Sequence, residues 1–347
     1  MQKKLLATLV ASLVAGQAMA LEVYNDGVNS VEIGGRVGMV TGDEDGGHDN
    51  GLSDDGSRVN FKFAHNFQSG WTGTGTVEWG YNPQSTDNIE FSNRLGNVGL
   101  KHDQYGAFLF GKQWSAFYDV AGWTDIFAVG GSDYVGTKGI YDNGHFLGTA
   151  RADDALSYRK SFGGLNVAVQ TQLEGTGEVN RVTDITREKS YGIAVSYDLP
   201  FGLSLGAAHN ETYLKDMDNT KASLVSAKFA AGQFMLAANY GEYTNSVKFD
   251  AVEADTTFVS EKAKAAEVVG TYALDAVVEG LLLEAGYTQI TDETELSKAE
   301  QKGYVAGVVY TTGPMEFAVE YKDATKANRA GTETDSDTLG ASVRYYF

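Results

Sequence analysis

Apolar and polar side chains alternate without exception over the last nine residues of this 347-residue chain. Leu339, Ala341, Val343, Tyr345 and Phe347 share one face, and Gly340, Ser342, Arg344 and Tyr346 share the other. A repeat of two is the repeat of a β-strand, whose side chains point to opposite sides in turn. The same pattern recurs in 59–67, 190–199, 281–288 and 315–322. Each run is about ten residues long, enough for a tilted strand to cross a bilayer. No apolar run of about twenty residues follows the first twenty, so helical spans are excluded. A chain with one greasy face per strand can still cross lipid if its sheet closes on itself and leaves no unpaired edge.

The first twenty residues have a different character. Lys3-Lys4 precede an apolar stretch from Leu5 to Ala15, and Ala18-Met19-Ala20 is a small-x-small cleavage site. Residues 1–20 are read as a secretory signal peptide and 21–347 as a single barrel domain. Cleavage removes two lysines and no acids, taking the formal charge from −19 to −21. Such an acidic excess weighs against nucleic acid as a partner and suits cations. The absence of cysteine excludes disulfides, thiolate metal sites and cysteine nucleophiles. Pro83, Pro200 and Pro314 all fall in connections, where a missing amide hydrogen breaks no ladder.

The connections alternate in kind. Short turns such as 68–70, 103–104, 162–164, 199–202, 231–232 and 312–314 alternate with long acidic segments such as 41–56, 82–90, 175–188, 245–261, 290–300 and 324–335. Phe67, Trp71, Tyr105, Phe162, Phe201, Phe234 and Phe317 flank the short turns as an interfacial aromatic girdle would. About sixteen strands result, from 31–41 to 336–347. The expected fold is all-β, a transmembrane antiparallel barrel wide enough for a water-filled lumen. Gly73 and Gly75, with Asn93, Asn97 and Gly99, are read as facing outward, which is unfavourable against lipid. The first four or five strands are therefore expected to form an oligomer interface.

The segment 115–149 departs from the rest. It carries Phe117, Tyr118, Trp123, Ile126, Phe127, Tyr134, Tyr141 and Phe146, too apolar for a loop bathed in water. It is expected to fold inward and narrow the channel. Alternation then points Arg36, Arg58, Lys62, Arg94, Arg151, Arg159 and Arg344 into the lumen, facing the loop acids Asp125 and Asp133. An arginine against lipid at the bilayer centre costs about 2–4 kcal/mol, but little against water. No cofactor or metal site is expected. The acidic stretch Gly42–Gly51 fails calcium-loop spacing, with Gly47 where a ligand should stand. An enzyme is disfavoured, because none of His48, His65, His102, His145 and His209 lies near a serine elbow or forms an i, i+4 metal pair.

Several stretches together resemble the general, non-specific porins of Gram-negative bacteria. They are Glu22-Val23-Tyr24-Asn25-Asp26-Gly27, Arg94–Lys101, Gly111-Lys112-Gln113-Trp114 with Tyr118-Asp119, Gly122-Trp123-Thr124-Asp125, Ala238–Glu242 and Val343–Phe347. The resemblance covers essentially the whole chain after residue 20. It implies a sixteen-stranded, trimeric outer-membrane barrel with its third loop in the pore and passive diffusion of small hydrophilic solutes. It places a basic constriction wall at Arg36, Arg58, Arg94 and Arg151, and loop acids at Asp125 and Asp133. Tyr345 and Phe347 are expected to act as the carboxy-terminal signal for the barrel-assembly machinery, with lipid and lipopolysaccharide as surroundings. The inward loop departs from the family's Pro-Glu-Phe-Gly-Gly: Ile126–Gly131 lacks the glutamate, so eyelet size does not carry over. The expected function is a cation-preferring diffusion channel. The alternatives are a solute-specific channel and an adhesin or receptor barrel acting through its acidic loops.

Overall fold

The computed structural model describes residues 20–42, 51–67, 69–86, 88–129, 144–179, 182–252 and 256–347. The expected signal peptide, residues 1–20, therefore lies outside the described residues, save Ala20. So does most of the acidic stretch Gly42–Gly51. Among the described residues, sixteen antiparallel strands close into one barrel. They are β1 Asn29–Thr41, β2 Arg58–Asn66, β3 Thr72–Gly80, β4 Ser92–His102, β5 Gly106–Trp114, β6 Ala155–Phe162, β7 Leu165–Gln172, β8 Val182–Asp198, β9 Leu203–Leu214, β10 Thr220–Ala231, β11 Phe234–Thr244, β12 Ala263–Ala273, β13 Leu281–Asp292, β14 Glu300–Thr312, β15 Met315–Ala327 and β16 Glu333–Tyr346.

Closure occurs on β1, which has two partners along one edge. Its outer half pairs with β16, from Arg36↔Tyr346 to Thr41↔Ala341. Its inner half pairs with the short strand Leu21–Asn25. The change of partner falls at Gly35, which exchanges backbone hydrogen bonds with Phe347 at 2.9 and 3.1 Å. A Cβ at Gly35 would stand 2.2 Å from the Arg58 carbonyl and 2.8 Å from the Phe347 ring, so only glycine fits this seam.

The outer face is the apolar row read from alternation. In β16, Leu339, Val343 and Tyr345 are exposed, while Gly340, Ser342 and Tyr346 are buried on the other side. Tyr191, Ile193, Val195 and Tyr197 are likewise exposed in β8, and the girdle residues Phe67, Tyr105, Phe162, Phe201 and Phe234 ring the short-turn end. Exposed rows of this kind belong against hydrocarbon, where an unpaired backbone edge would be costly and closure removes it.

Two sequence readings need correction. Asn97 and Gly99 do not face outward. The register slips between Glu78 and Trp79, and Asn97 then pairs with Thr76 and Gly99 with Thr74. Val98 and Leu100 take the outer row, and the Asn97 amide donates to the Lys112 carbonyl at 3.0 Å. The second correction concerns loop length. β8 runs 17 residues, its outer end pairing with Gly175–Val179, and β15 and β16 continue to Ala327 and from Glu333. Beyond the bilayer both faces of a ladder are wet, so hydropathy stops marking a strand that hydrogen bonding still extends.

Candidate functional site

Small residues on the inner wall make room for the segment that follows β5. It begins with Tyr118–Ala121 (α1) and a 3₁₀ turn at Gly122–Thr124. Phe117 and Val120 are fully buried against a floor that includes Ala168, Ala194, Ala208 and Ala222. A Cβ at Gly206 would meet Val120 at 2.7 Å and Trp123 at 2.9 Å. Further round the wall, a Cβ at Gly286 would meet the Phe127 ring at 2.8 Å, and one at Gly340 would meet Val129 at 2.3 Å. Phe127 packs with Met235, Ala237, Val269 and Val305. Each buried apolar side chain contributes about 1.5–3 kcal/mol.

Hydrogen bonds fix the same path. The Asn239 amide donates to the Ala121 carbonyl at 2.9 Å and the Thr124 hydroxyl at 2.7 Å. At the far end, Glu320 on β15 accepts from the backbone N–H groups of Ala128 and Val129, at 2.6 and 3.0 Å. Arg344 donates to the Ala128 carbonyl at 2.8 Å. The returning arm carries Gly144–Leu147 (α2) and is held by Arg187. This fully buried guanidinium reaches the Phe146 and Leu173 carbonyls and bridges Asp153 at 2.7 Å and Asp154 at 3.0 Å. Its charge also lies 4.9 Å from the Phe146 ring centre.

The wall opposite this path is basic. Arg36 and Arg58 are direct cross-strand partners on β1 and β2. Arg94 lies alongside, its Cδ 3.2 Å from where a Gly80 Cβ would be, and Gly80 pairs with Arg58. Arg94 bridges Glu78 at 2.8 Å. Arg36 donates to the Asp55 and Gly56 carbonyls and lies 3.8 Å from the Asp55 carboxylate. The Arg58 guanidinium has no hydrogen bond or ion pair among the described residues. Arg151 stands apart from this trio, its guanidinium 5.7 Å from the Trp114 ring. Trp114 stacks on Tyr118 at 4.2 Å, and the Tyr118 hydroxyl donates to Asp125 at 2.5 Å. Arg151 and Asp125 are therefore joined through two rings.

The remaining site residues take different parts. Lys62 follows Arg58 on the same inward row, two residues beyond Asn60, and is exposed. Arg159 bridges Asp119 at 2.7 Å and also donates to the Trp114 carbonyl. Burial raises the Asp119 carboxyl's pKa, and Arg159 opposes the rise. Arg344 is clamped by Asp55 and Glu316. Asp133 lies outside the described residues. Sequence reasoning missed Glu320, Asp55 and Arg187. Glu320 stood on a correctly read inward row, and its parity was the available signal. Arg187 sat in a stretch read as loop.

A closed barrel with an apolar exterior and a charged, hydrated interior is a membrane channel of the outer-membrane type. The profile described as "Gram-negative porin" matches residues 7–281. Outer membrane protein F of Serratia marcescens is 31% identical over 100% of both chains. Outer membrane porin N of Escherichia coli (strain K12) is 32% identical, over 79% of this chain and 77% of that one. In fold the chain is similar to Salmonella typhi OmpF, solved in complex with daunomycin, at TM-score 0.72 and 22% identity, covering 94% of this chain and 100% of that chain. It is also similar to in-vitro folded OmpT of Vibrio cholerae in its trimer form, at TM-score 0.65 and 18% identity, covering 92% and 100%. The chain belongs to the Gram-negative porin family. It is an outer-membrane protein of a family of passive channels, not an enzyme.

Proposed function

We propose that the chain forms a homotrimeric diffusion channel for small hydrophilic solutes and ions, with a preference for cations. In this reading the segment 115–149 narrows the lumen, with Arg36, Arg58, Arg94 and Arg151 on the wall and Asp125 and Asp133 on the loop. The observation that carries it is the latch between Glu320 and the Ala128–Val129 backbone. It holds the segment against β15 while the arginines of β1, β2 and β4 face it. Solutes then pass a transverse field that favours dipolar over apolar molecules, whose water shell cannot be replaced. Cation preference is supported by the net charge of −19.

The outward pair Gly73 and Gly75 on β3 offers a flat wall for a second copy, and the trimer form of the similar Vibrio cholerae protein supports three. Outward ion pairs near the long-loop ends, Lys221–Glu211, Lys264–Glu293 and Lys302–Glu300, support contact with lipopolysaccharide. Tyr345 and Phe347 are assigned the assembly signal. Reversal potentials in a KCl gradient across a planar bilayer test the selectivity, and a chloride-favouring sign refutes it. Liposome swelling with a size series of sugars tests the diffusion mechanism. Flux that cuts off by size, without one preferred solute, is the expected result.

A further inference from the structure

We infer that the lumen holds a weak binding subsite for neutral saccharides on the short-turn side of the inward segment. The inference rests on the channel reading above and adds a substrate class to it.

A recess of about 420 Å³ lies there, within the size range of small-ligand sites. Trp123 of the inward segment borders it, beside the place where Val120 packs with Ala168 and Ala194. Its polar groups stand on adjacent strands at fixed register. Ser161 pairs with Asn166 and Asn166 with Ser196, so these three side chains form one row across β6, β7 and β8. One step nearer the turns, Asp198 pairs with Ser204 and Ser204 with Lys228 across β8, β9 and β10.

Hydrogen bonds preorganise these groups without exhausting them. Ser161 donates to Asn166 at 2.6 Å, and Asn166 donates to Asp198 at 2.9 Å. Ser204 donates to the other Asp198 oxygen at 2.5 Å. Each carboxylate oxygen retains a lone pair, and Asp198 lines the recess and is water-exposed. The Lys228 ammonium lies 5.1 Å from the Trp123 ring and has no hydrogen-bond acceptor among the described residues. Its three donors are open.

Charge decides the class of solute. Arg159 and Asp119 neutralise each other at one end, and Lys228 and Asp198 contribute one charge of each sign at the other. Lys160 also borders the recess, but it shares the outward row with Val167 and Val195 and its ammonium donates to the Asp103 carbonyl, so the inward-facing charges sum to zero in a chain of net charge −19. Neither a cation nor an anion gains from entering. A neutral polyol gains donors and acceptors in alternation on one side, and the half-buried Trp123 ring meets its C–H face on the other. Fixed groups on strands bind more effectively than the same groups on a loop.

The test is initial-rate uptake of maltose into proteoliposomes over a range of concentrations. Ethanolamine and gluconate serve as charged comparators. Maltose uptake is expected to saturate while the comparators remain linear. Lys228→Met and Asn166→Leu should each raise the half-saturating concentration about tenfold, the effect of roughly 1.4 kcal/mol. KCl conductance of the same preparation reports whether the pore is open. A wild type that conducts KCl but takes up maltose linearly overturns the subsite and leaves the channel standing. Saturation that both variants retain overturns this location. Should a variant fail to assemble, quenching of wild-type tryptophan fluorescence by maltose, absent in Trp123→Phe, decides the matter. A quench that persists in Trp123→Phe counts against the site.

Discussion

Arg344 and Asp55 form a two-pronged ion pair, Nε to Oδ2 at 2.5 Å and Nη2 to Oδ1 at 2.8 Å. It ties the closing strand to the segment that follows β1. The same guanidinium reaches Glu316 at 3.0 Å and the Ala128 carbonyl. Strand closure and the inward segment therefore share one side chain. Asp55 and the arginine are both about nine-tenths buried, at 9% and 11% side-chain exposure.

Arg344→Met should leave Glu316 without a cation and Asp55 with only Arg36, 3.8 Å away. Breaking a buried pair from one side costs about 3–5 kcal/mol. The folded barrel should lose its resistance to detergent at a clearly lower temperature, read as the heat-dependent mobility shift on a gel. An unchanged transition would show that water satisfies both carboxylates.

Glu320→Ala removes the acceptor for two backbone N–H groups. An unsatisfied buried donor costs about 1–3 kcal/mol. The outer end of the inward segment should detach intermittently, giving noisier open-channel current and higher mean conductance. Glu320→Gln keeps one acceptor oxygen and should fall between. Single-channel traces identical to wild type would mean that the Phe127 and Val129 contacts hold the segment alone.

Val195 sits on the outer row of β8, 38% exposed, between Val167 and Ala207. Val195→Arg should destabilise the barrel by about 2–4 kcal/mol if the site lies near the bilayer centre. Val195→Leu should be close to neutral. Urea titration of refolding into lipid vesicles compares the two, and equal midpoints would place this row outside hydrocarbon.

The barrel was legible in the sequence because lipid imposes one simple rule, an apolar residue at every second position. That rule gave sixteen strands and the apolar outer rows of β8 and β16. It failed at Asn97 and Gly99, where a bulge reverses the parity of β4 and composition carries no sign of it. It also failed at Arg187, since a ladder extending past the bilayer has no greasy face. The partners of the inward segment were invisible for another reason. Glu320 touches residues 192 and 191 positions away in sequence, and only chain closure brings them together.

Arg58 offers the sharpest test of the basic wall. Arg36 and Arg94 have Asp55 and Glu78 to balance them, whereas Arg58 has no ion pair among the described residues. Its charge is the least neutralised of the trio and acts most directly on a passing ion. Arg58→Gln removes that charge and breaks no hydrogen bond of the fold, so assembly should survive. The reversal potential in a KCl gradient should move further toward the potassium limit, with a rise in potassium conductance that shrinks as salt screens the wall. Arg94→Gln leaves Glu78 unpaired and should combine a selectivity shift with lower stability. Equal reversal potentials for Arg58→Gln and wild type at low salt would place the narrowest passage away from this trio.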